Sequence, residues 1–237
     1  MGEVNEMRFY TATPDYYNDY ICHHGVKGQQ WGVRNGPPYP LADGRSSSER
    51  IYSDAKKRVS KISKDVQTAV SHTSGKMYGL EHKLKTKESI SRKIDKNIKE
   101  EGKSVTEASN DIKDAVRFTM VSPEKDFVKN YESFKSEMER KGYKETRCKN
   151  YFQMFKEGKV KHKSVQCNYA TKDGYEFEIQ FQTPASQKAK DKKVPIYEER
   201  RQVNISKKRA RELEKQMEDL ALAVKDPPDI HKIKSHK

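Results

Sequence analysis

One stretch of the chain, from Gly174 to Pro184, alternates apolar and polar side chains with a period of two. This alternation predicts a β-strand with one face on a core and a wet face of carboxylates and amides. The apolar residues are Tyr175, Phe177, Ile179 and Phe181, and the polar residues are Glu176, Glu178, Gln180 and Gln182. On the polar face, Glu178 is the candidate to hold a metal ion or to accept a proton. A half-buried strand of an antiparallel sheet shows the same alternation without any such role.

A second candidate lies between Lys83 and Ile94, where cations cluster around the predicted start of a helix. The cations are Lys83, Lys85, Lys87, Arg92 and Lys93, and the buried side of the helix is marked by Ile90, Ile94 and Ile98. Because a helix N-terminus carries free N–H groups and a partial positive charge, added cations favour a bound polyphosphate. A solvated basic face explains the cluster equally well, and the spacing alone does not decide between the two.

The composition favours an anionic partner. The 237 residues are 32% hydrophobic and 35% charged, which suffices for one core of ordinary size, and the formal net charge is +14. This charge favours nucleotide phosphates, RNA, DNA or an anionic membrane surface. Cys22, Cys148 and Cys167 lack paired spacing, which predicts reduced thiols and a cytoplasmic location. No run approaches the roughly 20 apolar residues that a membrane-spanning helix needs, so no membrane association is expected.

Three segments are expected along the chain. Residues 1–44 are rich in Tyr, Gly and Pro and predict an extended leader. Residues 45–225 predict a single folded domain that includes the C-terminal helices. Residues 226–237, which follow Pro227-Pro228 with a run of Lys and His, predict a basic disordered tail.

Within the folded domain, strands and helices alternate. Apolar residues at helical spacing predict a long helix from Ile51 to Val70 and another after Ser122-Pro123 that ends at Gly142. Strands are predicted after the polar lead at residues 111–116, from Tyr143 to Phe152, and from Lys163 to Ala170. The last of these pairs with the Glu178 strand across a turn at Asp173-Gly174. The predicted fold is α/β of the α+β kind, with a mixed, largely antiparallel central sheet flanked by helices.

The leader contains the sequence CHHGVKGQQWGVR, which begins at Cys22. It resembles a short motif, HHG-hydrophobic-KGQ-x-WGVR, found at the N-termini of phage-associated proteins. The resemblance implies a prophage origin and binding to a phage particle through residues 22–41. Cys22, His23 and His24 are also possible zinc ligands, although adjacent His residues rarely serve one tetrahedral site.

Three blocks in the folded domain resemble, in order, the synthetase domain of the RelA/SpoT family. Lys83-x-Lys85 followed by SIxRKI from Ser89 is similar to the family's R-x-K…S-I-x-R-K-M block. DAVRFT from Asp114 is similar to the segment in which a magnesium-binding Asp precedes a strand. EIQFQTP from Glu178 is similar to the E-I-Q-x-x-T strand. The blocks span roughly residues 50–202 and imply a nucleotidyltransferase-like synthetase fold.

The resemblance implies an ATP-dependent pyrophosphokinase that transfers the pyrophosphate of ATP to the ribose 3′-hydroxyl of a purine nucleotide with Mg²⁺ as cofactor. Asp114 and Glu178 would be the metal ligands, and Glu178, Asp114 and Arg92 the catalytic residues. The residues implied for ATP binding are Lys83, Lys85, Ser89, Arg92 and Lys93. The residues implied for acceptor binding are His162, Gln180, Lys163 and Arg117.

Several positions depart from the family pattern. Lys83 stands where the family has Arg, which removes a planar bidentate donor. The spacing between Asp114 and Arg117 is short, so Asp111 competes with Asp114 for the metal role. His162 falls where the family has a Tyr that stacks on the acceptor base. These departures favour the toxin-like branch of small alarmone synthetases, with an antitoxin or immunity protein as a further expected partner.

Two alternatives remain open. The acceptor could be the 3′ CCA end of tRNA, so that the enzyme would inhibit translation in the bacterial cytoplasm. The chain could also be a non-enzymatic basic protein of a phage particle that binds nucleic acid through its Lys-rich helices. Carboxylates such as Asp114 and Glu178 have no use in that second role, because they repel phosphate unless a metal ion lies between them.

Overall fold

The structure, a computed structural model, describes residues 46–160, 162–200 and 204–237. The leader motif at residues 22–41 lies outside the described residues, so its role stays a prediction. The chain divides into two compact units. The first, here called the helical unit, contains Thr86–Ile112 together with the chain up to Ala55. The second, here called the sheet unit, consists of Lys56–Lys85 and Lys113–Lys237.

The described part of the helical unit is built from capped helices. Helix α1 (Ser47–Ser71) contributes its first turns, and α2 (Lys87–Glu101) and α3 (Val105–Asn110) follow the break in sequence. The Thr86 side chain accepts a hydrogen bond from the Ser89 amide, which fixes the start of α2. Gly102 ends α2 in the left-handed conformation, with φ of 63°. The predicted helix around Ile90 and Ile94 is thereby confirmed, and both isoleucines are buried.

The sheet unit holds five strands in the order β1-β2-β5-β4-β3. They are β1 (Lys76–Tyr78), β2 (Arg117–Val121), β3 (Lys144–Asn150), β4 (Val165–Ala170) and β5 (Glu176–Gln182). The β2–β5 pair is parallel, and the other three pairs are antiparallel. The prediction of a mixed, largely antiparallel sheet flanked by helices is confirmed.

The core lies between one face of the sheet and α4 (Phe127–Arg140). The predicted apolar stripe of α4 is buried, and Tyr131 and Phe134 meet Phe181 of β5 edge to face at 5.2 and 5.3 Å between ring centroids. Such pairs contribute about 0.5–1.5 kcal/mol each beyond the area that they bury. The apolar face of β5 therefore faces the core, as its period of two predicts.

The predicted hairpin between β4 and β5 is confirmed. Gly174 has φ of 83°, a conformation that glycine adopts without a steric cost. The Thr171 amide donates to the Tyr175 carbonyl at 2.9 Å, and the Thr171 side chain accepts from the Tyr175 amide at 3.0 Å. The turn sets the register that pairs Asn168 with Glu178.

The predicted second strand is too long, because β3 ends at Asn150. The Asn150 side chain accepts from the Gln153 amide and so begins helix α5 (Tyr151–Lys156). Two further helices follow β5, namely α6 (Pro184–Arg200) and α7 (Lys207–Leu222). No described helix has both the length and the apolar character needed to cross a membrane.

The C-terminal residues differ from the predicted disordered tail. Ile230 and Ile233 are buried, and the Asn150 amide group donates to their carbonyls at 2.8 and 2.9 Å. His236 exchanges both backbone hydrogen bonds with Cys148 of the edge strand β3. The basic composition of the segment did not indicate that Ile230 and Ile233 would be buried. These two residues hold the segment against β3, whose edge would otherwise be open.

Candidate active site on the polar face of the sheet

The face of the sheet opposite α4 carries a row of polar side chains. Residues that are register partners lie side by side on one face. Arg117 of β2 and Asn168 of β4 flank Glu178 of β5 in this way. Thr119 and Gln166 flank Gln180 in the same manner. The parallel β2–β5 pairing therefore brings the Asp114 block beside the Glu178 strand.

The segment Lys83–Lys85 extends this arrangement. The Arg117 amide donates to the Lys83 carbonyl, and the Lys85 amide donates to the Ala115 carbonyl, each at 2.9 Å. On the other side, the Glu178 amide donates to the Val116 carbonyl at 3.0 Å. Parts of all three sequence blocks are thus joined by backbone hydrogen bonds, although they lie far apart in the chain.

Asp114 lies at the mouth of β2, where its carboxylate forms an ion pair with the Lys85 ammonium group. Both side chains are largely buried, at 14% and 13% exposure. Asp111, the rival for the metal role, belongs to the helical unit and pairs with Lys103 at 2.5 Å. Of the two, Asp114 shares the sheet unit with Glu178.

Glu178 is 7% exposed, which differs from the wet face that the alternation predicted. The reason is α6, which packs over the polar face. Lys190 of α6 donates to the Gln180 amide oxygen, and the Gln180 amide nitrogen donates to the Glu178 carboxylate. This relay orients the Gln180 side chain, because its oxygen accepts from a cation and its nitrogen must then face the carboxylate.

Sequence reasoning missed Asn168, although Gln166 and Asn168 alternate along β4 in the same way as the polar residues of β5. The Asn168 amide nitrogen donates to the Lys113 carbonyl at 3.1 Å. Its oxygen is buried and has no hydrogen-bond partner among the described residues. Buried polar atoms usually have a partner, so this oxygen beside Glu178 is a candidate ligand atom.

These donors fit a magnesium ion. Mg²⁺ prefers hard oxygen ligands and is typically held by one or two carboxylates together with substrate phosphates. Glu178 and Asp114 supply carboxylates, and the unpaired Asn168 oxygen is a further hard donor. The sheet unit therefore contains a donor set suited to the predicted cofactor.

A cavity of about 230 Å³ adjoins Gln180. His162, Gln166, Lys190 and Lys193 are among the residues that line it. This volume is below the roughly 300–1,000 Å³ of most small-molecule pockets, so the cavity admits part of a nucleotide, such as a base or a ribose.

One residue of the cavity wall, His162, contacts a second aromatic ring at a tilted angle of 41°. The His162 ring lies 4.2 Å from the Tyr151 ring, measured between centroids. Burial, with smaller contributions from Lys193 and Lys190, lowers the pKa of His162 to about 4. The imidazole is therefore neutral at pH 7 and presents a flat aromatic surface beside Gln180.

Two α6 lysines missed as site residues supply positive charge to the same cavity. Burial is the main cause that lowers the pKa of Lys190, and the neighbouring Arg117 guanidinium lowers it further. Burial lowers the pKa of Lys193 to about 8. The basic run after Pro184 was the sequence signal for both residues, but it did not show which lysines face inward.

Lys163, predicted to bind the acceptor, has different partners in the structure. Its ammonium group donates to the Val224 carbonyl at 2.6 Å and pairs with the Asp226 carboxylate at 2.9 Å. The side chain lines the cavity while its charge is held by the C-terminal segment. The expected disorder of residues 226–237 had concealed the Asp226 partner.

A second, more open cavity of about 480 Å³ lies where α1 passes Lys83. Hydroxyl and amide side chains of α1 line it together with two lysines. The lining residues are Ser60, Ser63, Lys64, Gln67, Thr68, Ser71 and Lys83. Its volume is in the range of nucleotide-sized pockets, and one predicted ATP ligand, Lys83, forms part of its wall.

The remaining predicted ATP ligands lie on α2 of the helical unit. Ser89 is in the first turn, and the Arg92 guanidinium donates to the Ser89 hydroxyl at 3.0 Å and to the Glu88 carbonyl at 3.4 Å. Lys93 follows on the same helix. Their binding role stays a prediction.

The sequence matches no protein-family model and no curated protein. Solved structures with a similar fold include the Type VI effector Tas1 in complex with its immunity protein, at 16% identity and a TM-score of 0.46. That match covers 78% of this chain and 97% of the effector chain.

Small alarmone synthetase 1 from Bacillus subtilis bound to pppGpp is also similar, at 16% identity and a TM-score of 0.49, over 73% of this chain and 91% of that chain. A GTP pyrophosphokinase family protein from Streptococcus pneumoniae has 15% identity and a TM-score of 0.44, over 73% and 84% of the two chains. These similarities concern the fold.

Proposed function

We propose that this chain is a pyrophosphokinase that transfers the pyrophosphate of ATP to the ribose 3′-hydroxyl of a purine nucleotide, giving an alarmone of the ppGpp or ppApp type. The observation that carries the proposal is the backbone pairing of Lys83–Lys85 with the Asp114 block and of that block with Glu178. Two cations and two carboxylates thereby come from segments that pair directly in the sheet unit, and Lys83 lines the larger cavity. Phosphoryl-type transfer requires that phosphate charge is neutralised and that a proton is accepted. The lysines supply the positive charge, and a carboxylate supplies the proton acceptor.

On the donor side, the cavity beside Lys83 receives ATP. Lys83 and Lys85 stabilise the negative charge of the triphosphate, and Asp114 holds Lys85 in place. The resemblance also implies ATP binding by Ser89, Arg92 and Lys93 of the helical unit. Asp114, Glu178 and the Asn168 oxygen are the residues that would hold Mg²⁺, which when bound neutralises phosphate oxygens.

On the acceptor side, the cavity beside Gln180 receives the base or the ribose of the acceptor nucleotide. The neutral His162 ring stacks on the base, and Lys193 supplies a positive charge for phosphate. Glu178 accepts the proton of the 3′-hydroxyl, whose oxygen forms a bond to the β-phosphorus of ATP. The bond between that phosphorus and the bridging α–β oxygen breaks, and AMP leaves with the electron pair.

We further propose a toxin-like role, with an immunity protein or antitoxin as partner. It is supported by His162 at the acceptor-stacking position and by Lys83 in place of Arg. The phage-associated motif of the leader supports delivery with, or residence in, a phage particle.

The test is incubation with ATP labelled at the γ-phosphate, Mg²⁺ and, in turn, GDP, GTP, AMP, ADP and deacylated tRNA. We expect label on one purine nucleotide together with equimolar AMP. Label on tRNA would show that the acceptor is the tRNA 3′ end and not a free nucleotide. The transfer chemistry would then stay as proposed. A folded protein that labels none of these acceptors, and binds RNA or DNA in a salt-dependent manner, would overturn the enzyme in favour of the nucleic-acid-binding protein.

A further inference from the structure

A second cluster of reactive side chains lies on the core face of the sheet, opposite to Glu178. Cys148 of β3 and Cys167 of β4 are register partners, and both are fully buried. Their sulfur atoms and one carboxylate oxygen of Glu145 all lie within 4.8 Å of one another. Thiolates and carboxylates are common zinc ligands, so the cluster offers three donors at one point.

A β-bulge brings the carboxylate to this face. In a regular strand, Glu145 and Cys148 would point to opposite faces, because they are an odd number of positions, three, apart. The register shifts between Glu145 and Arg147, so Glu145 pairs with Tyr169 while Cys148 pairs with Cys167. Bulges often re-aim a side chain at a functional site, and this one places a charged group in the core.

A fourth donor comes from the C-terminal segment. His236 pairs with Cys148 along the outer edge of β3, and its Nε2 atom lies 3.5 Å from the Glu145 carboxylate. The imidazole is 42% exposed, whereas the other three residues are buried, so it is also the route by which an ion would enter. Donors around a tetrahedral zinc ion are about 3.3–3.8 Å apart at normal ligand distances, which matches the separation between His236 and Glu145. His236 does not belong to the group of atoms that lie within 4.8 Å of one another, so its exposed imidazole has to turn toward the sulfur atoms when an ion binds.

The net charge of the cluster is compatible with a bound divalent cation if both cysteines are thiolates. The Glu145 carboxylate is paired with Lys135 at 3.1 Å and accepts hydrogen bonds from the hydroxyl groups of Tyr131 and Tyr169. One Zn²⁺ that replaces two thiol protons leaves the net charge of the buried cluster unchanged. The tyrosines and Lys135 then act as the outer hydrogen-bonding shell that metal ligands usually have.

We propose that Glu145, Cys148, Cys167 and His236 form a structural zinc site that fastens the C-terminal segment to the edge of the sheet. Binding converts two thiols to thiolates, forms two Zn–S bonds, one Zn–N bond and one Zn–O bond, and releases two protons. The four protein ligands leave no open position, which is typical of a structural site. The site is independent of the proposed transferase activity, since it lies on the other face of the sheet.

The test uses the full chain, reduced with a phosphine, stripped of metal and titrated with Zn²⁺ and with Co²⁺. We expect one ion per chain at this site, two protons released per zinc ion, and for Co²⁺ the sulfur-to-metal charge transfer and visible bands of a tetrahedral site. His236→Ala should weaken zinc binding by at least about tenfold, since even outer-shell partners contribute about 10–100-fold. His231→Ala, which changes an exposed histidine of the same segment, is the matched control.

Cys22, His23 and His24 could bind an ion themselves, so every titration is repeated in a Cys22→Ser/His23→Ala/His24→Ala background. Tetrahedral cobalt spectra that persist in this background and are lost on adding His236→Ala support the site. Absence of binding in that background, or equal affinity with and without His236→Ala, would overturn it. His236→Ala leaves the core cysteines intact, so a loss of binding in this variant does not depend on unfolding the protein.

Discussion

Each face of the sheet buries a glutamate, but the two carboxylates differ in how many partners they have. On the core face, Glu145 accepts hydrogen bonds from two tyrosines and pairs with Lys135. On the polar face, Gln180 is the one hydrogen-bond donor to the Glu178 side chain among the described residues. A carboxylate held by several partners has a fixed position, which suits a structural site, whereas a sparsely bonded one is available to a substrate. The difference separates a structural cluster from a candidate active site.

The largest expected effect is on catalysis. Glu178→Gln should lower pyrophosphate transfer by about 10²–10⁴-fold, because the amide cannot accept the hydroxyl proton. Circular dichroism and urea unfolding should show an intact fold, since the side chain keeps its shape. Glu176→Gln makes the same change two residues away, where the carboxylate pairs with Lys113, and should retain activity. Equal activity in both variants would remove Glu178 from the mechanism.

The second prediction concerns stability on the opposite face. Glu145→Ala should lower the free energy of unfolding by about 2–5 kcal/mol, because it leaves the buried hydroxyl groups of the two tyrosines without their acceptor and removes the ion pair of the partly exposed Lys135. Urea denaturation of metal-free protein measures this change. Glu132→Ala, on the exposed side of α4, should stay within about 0.5 kcal/mol of the wild type. If Glu178→Ala proved as costly as Glu145→Ala, the contrast between the two faces would be wrong.

The third prediction is an acid sensitivity of the cavity wall. The pKa of His162 is lowered from 6.5 to about 4 in the folded protein, so the unfolded chain binds more protons between these values. Stability should therefore fall as the pH falls from 6.5 to 4, by about 3 kcal/mol at most from this residue. His162→Phe keeps an aromatic ring on Tyr151 and should lose that part of the pH dependence. Parallel curves of unfolding free energy against pH for both proteins would refute the assignment.

The smallest expected effect tests the relay on the polar face. Lys190→Met should lower kcat by about 10–100-fold, the equivalent of one charge-assisted hydrogen bond, because Gln180 loses the cation that orients it. KM for ATP should change little, since Lys190 lies beside the acceptor cavity. Lys188→Met, an exposed neighbour on α6, is the control. A change in KM for ATP with an unaltered kcat would exclude this positioning role.

Local pattern alone predicted much of the fold. The period of two in β5, the turn at Gly174 and the stripe of α4 are each encoded within a few residues, and all three are confirmed. The three-residue strand β1 and the short helix α3 were not predicted, because neither is long enough to show a period. Glu178 and Asp114 were predicted as site residues from their chemical type and the resemblance, without any knowledge of their neighbours.

The sequence by itself determined which side chains of each element face which way and which residue types could bind phosphate or a metal ion. Only the tertiary structure decided that Arg117 and Asn168 flank Glu178, that α6 covers the polar face, and that His236 reaches Glu145. The reason is physical. Periodicity depends on the local backbone, whereas the pairing of distant strands and the cover over each face depend on how the whole core packs.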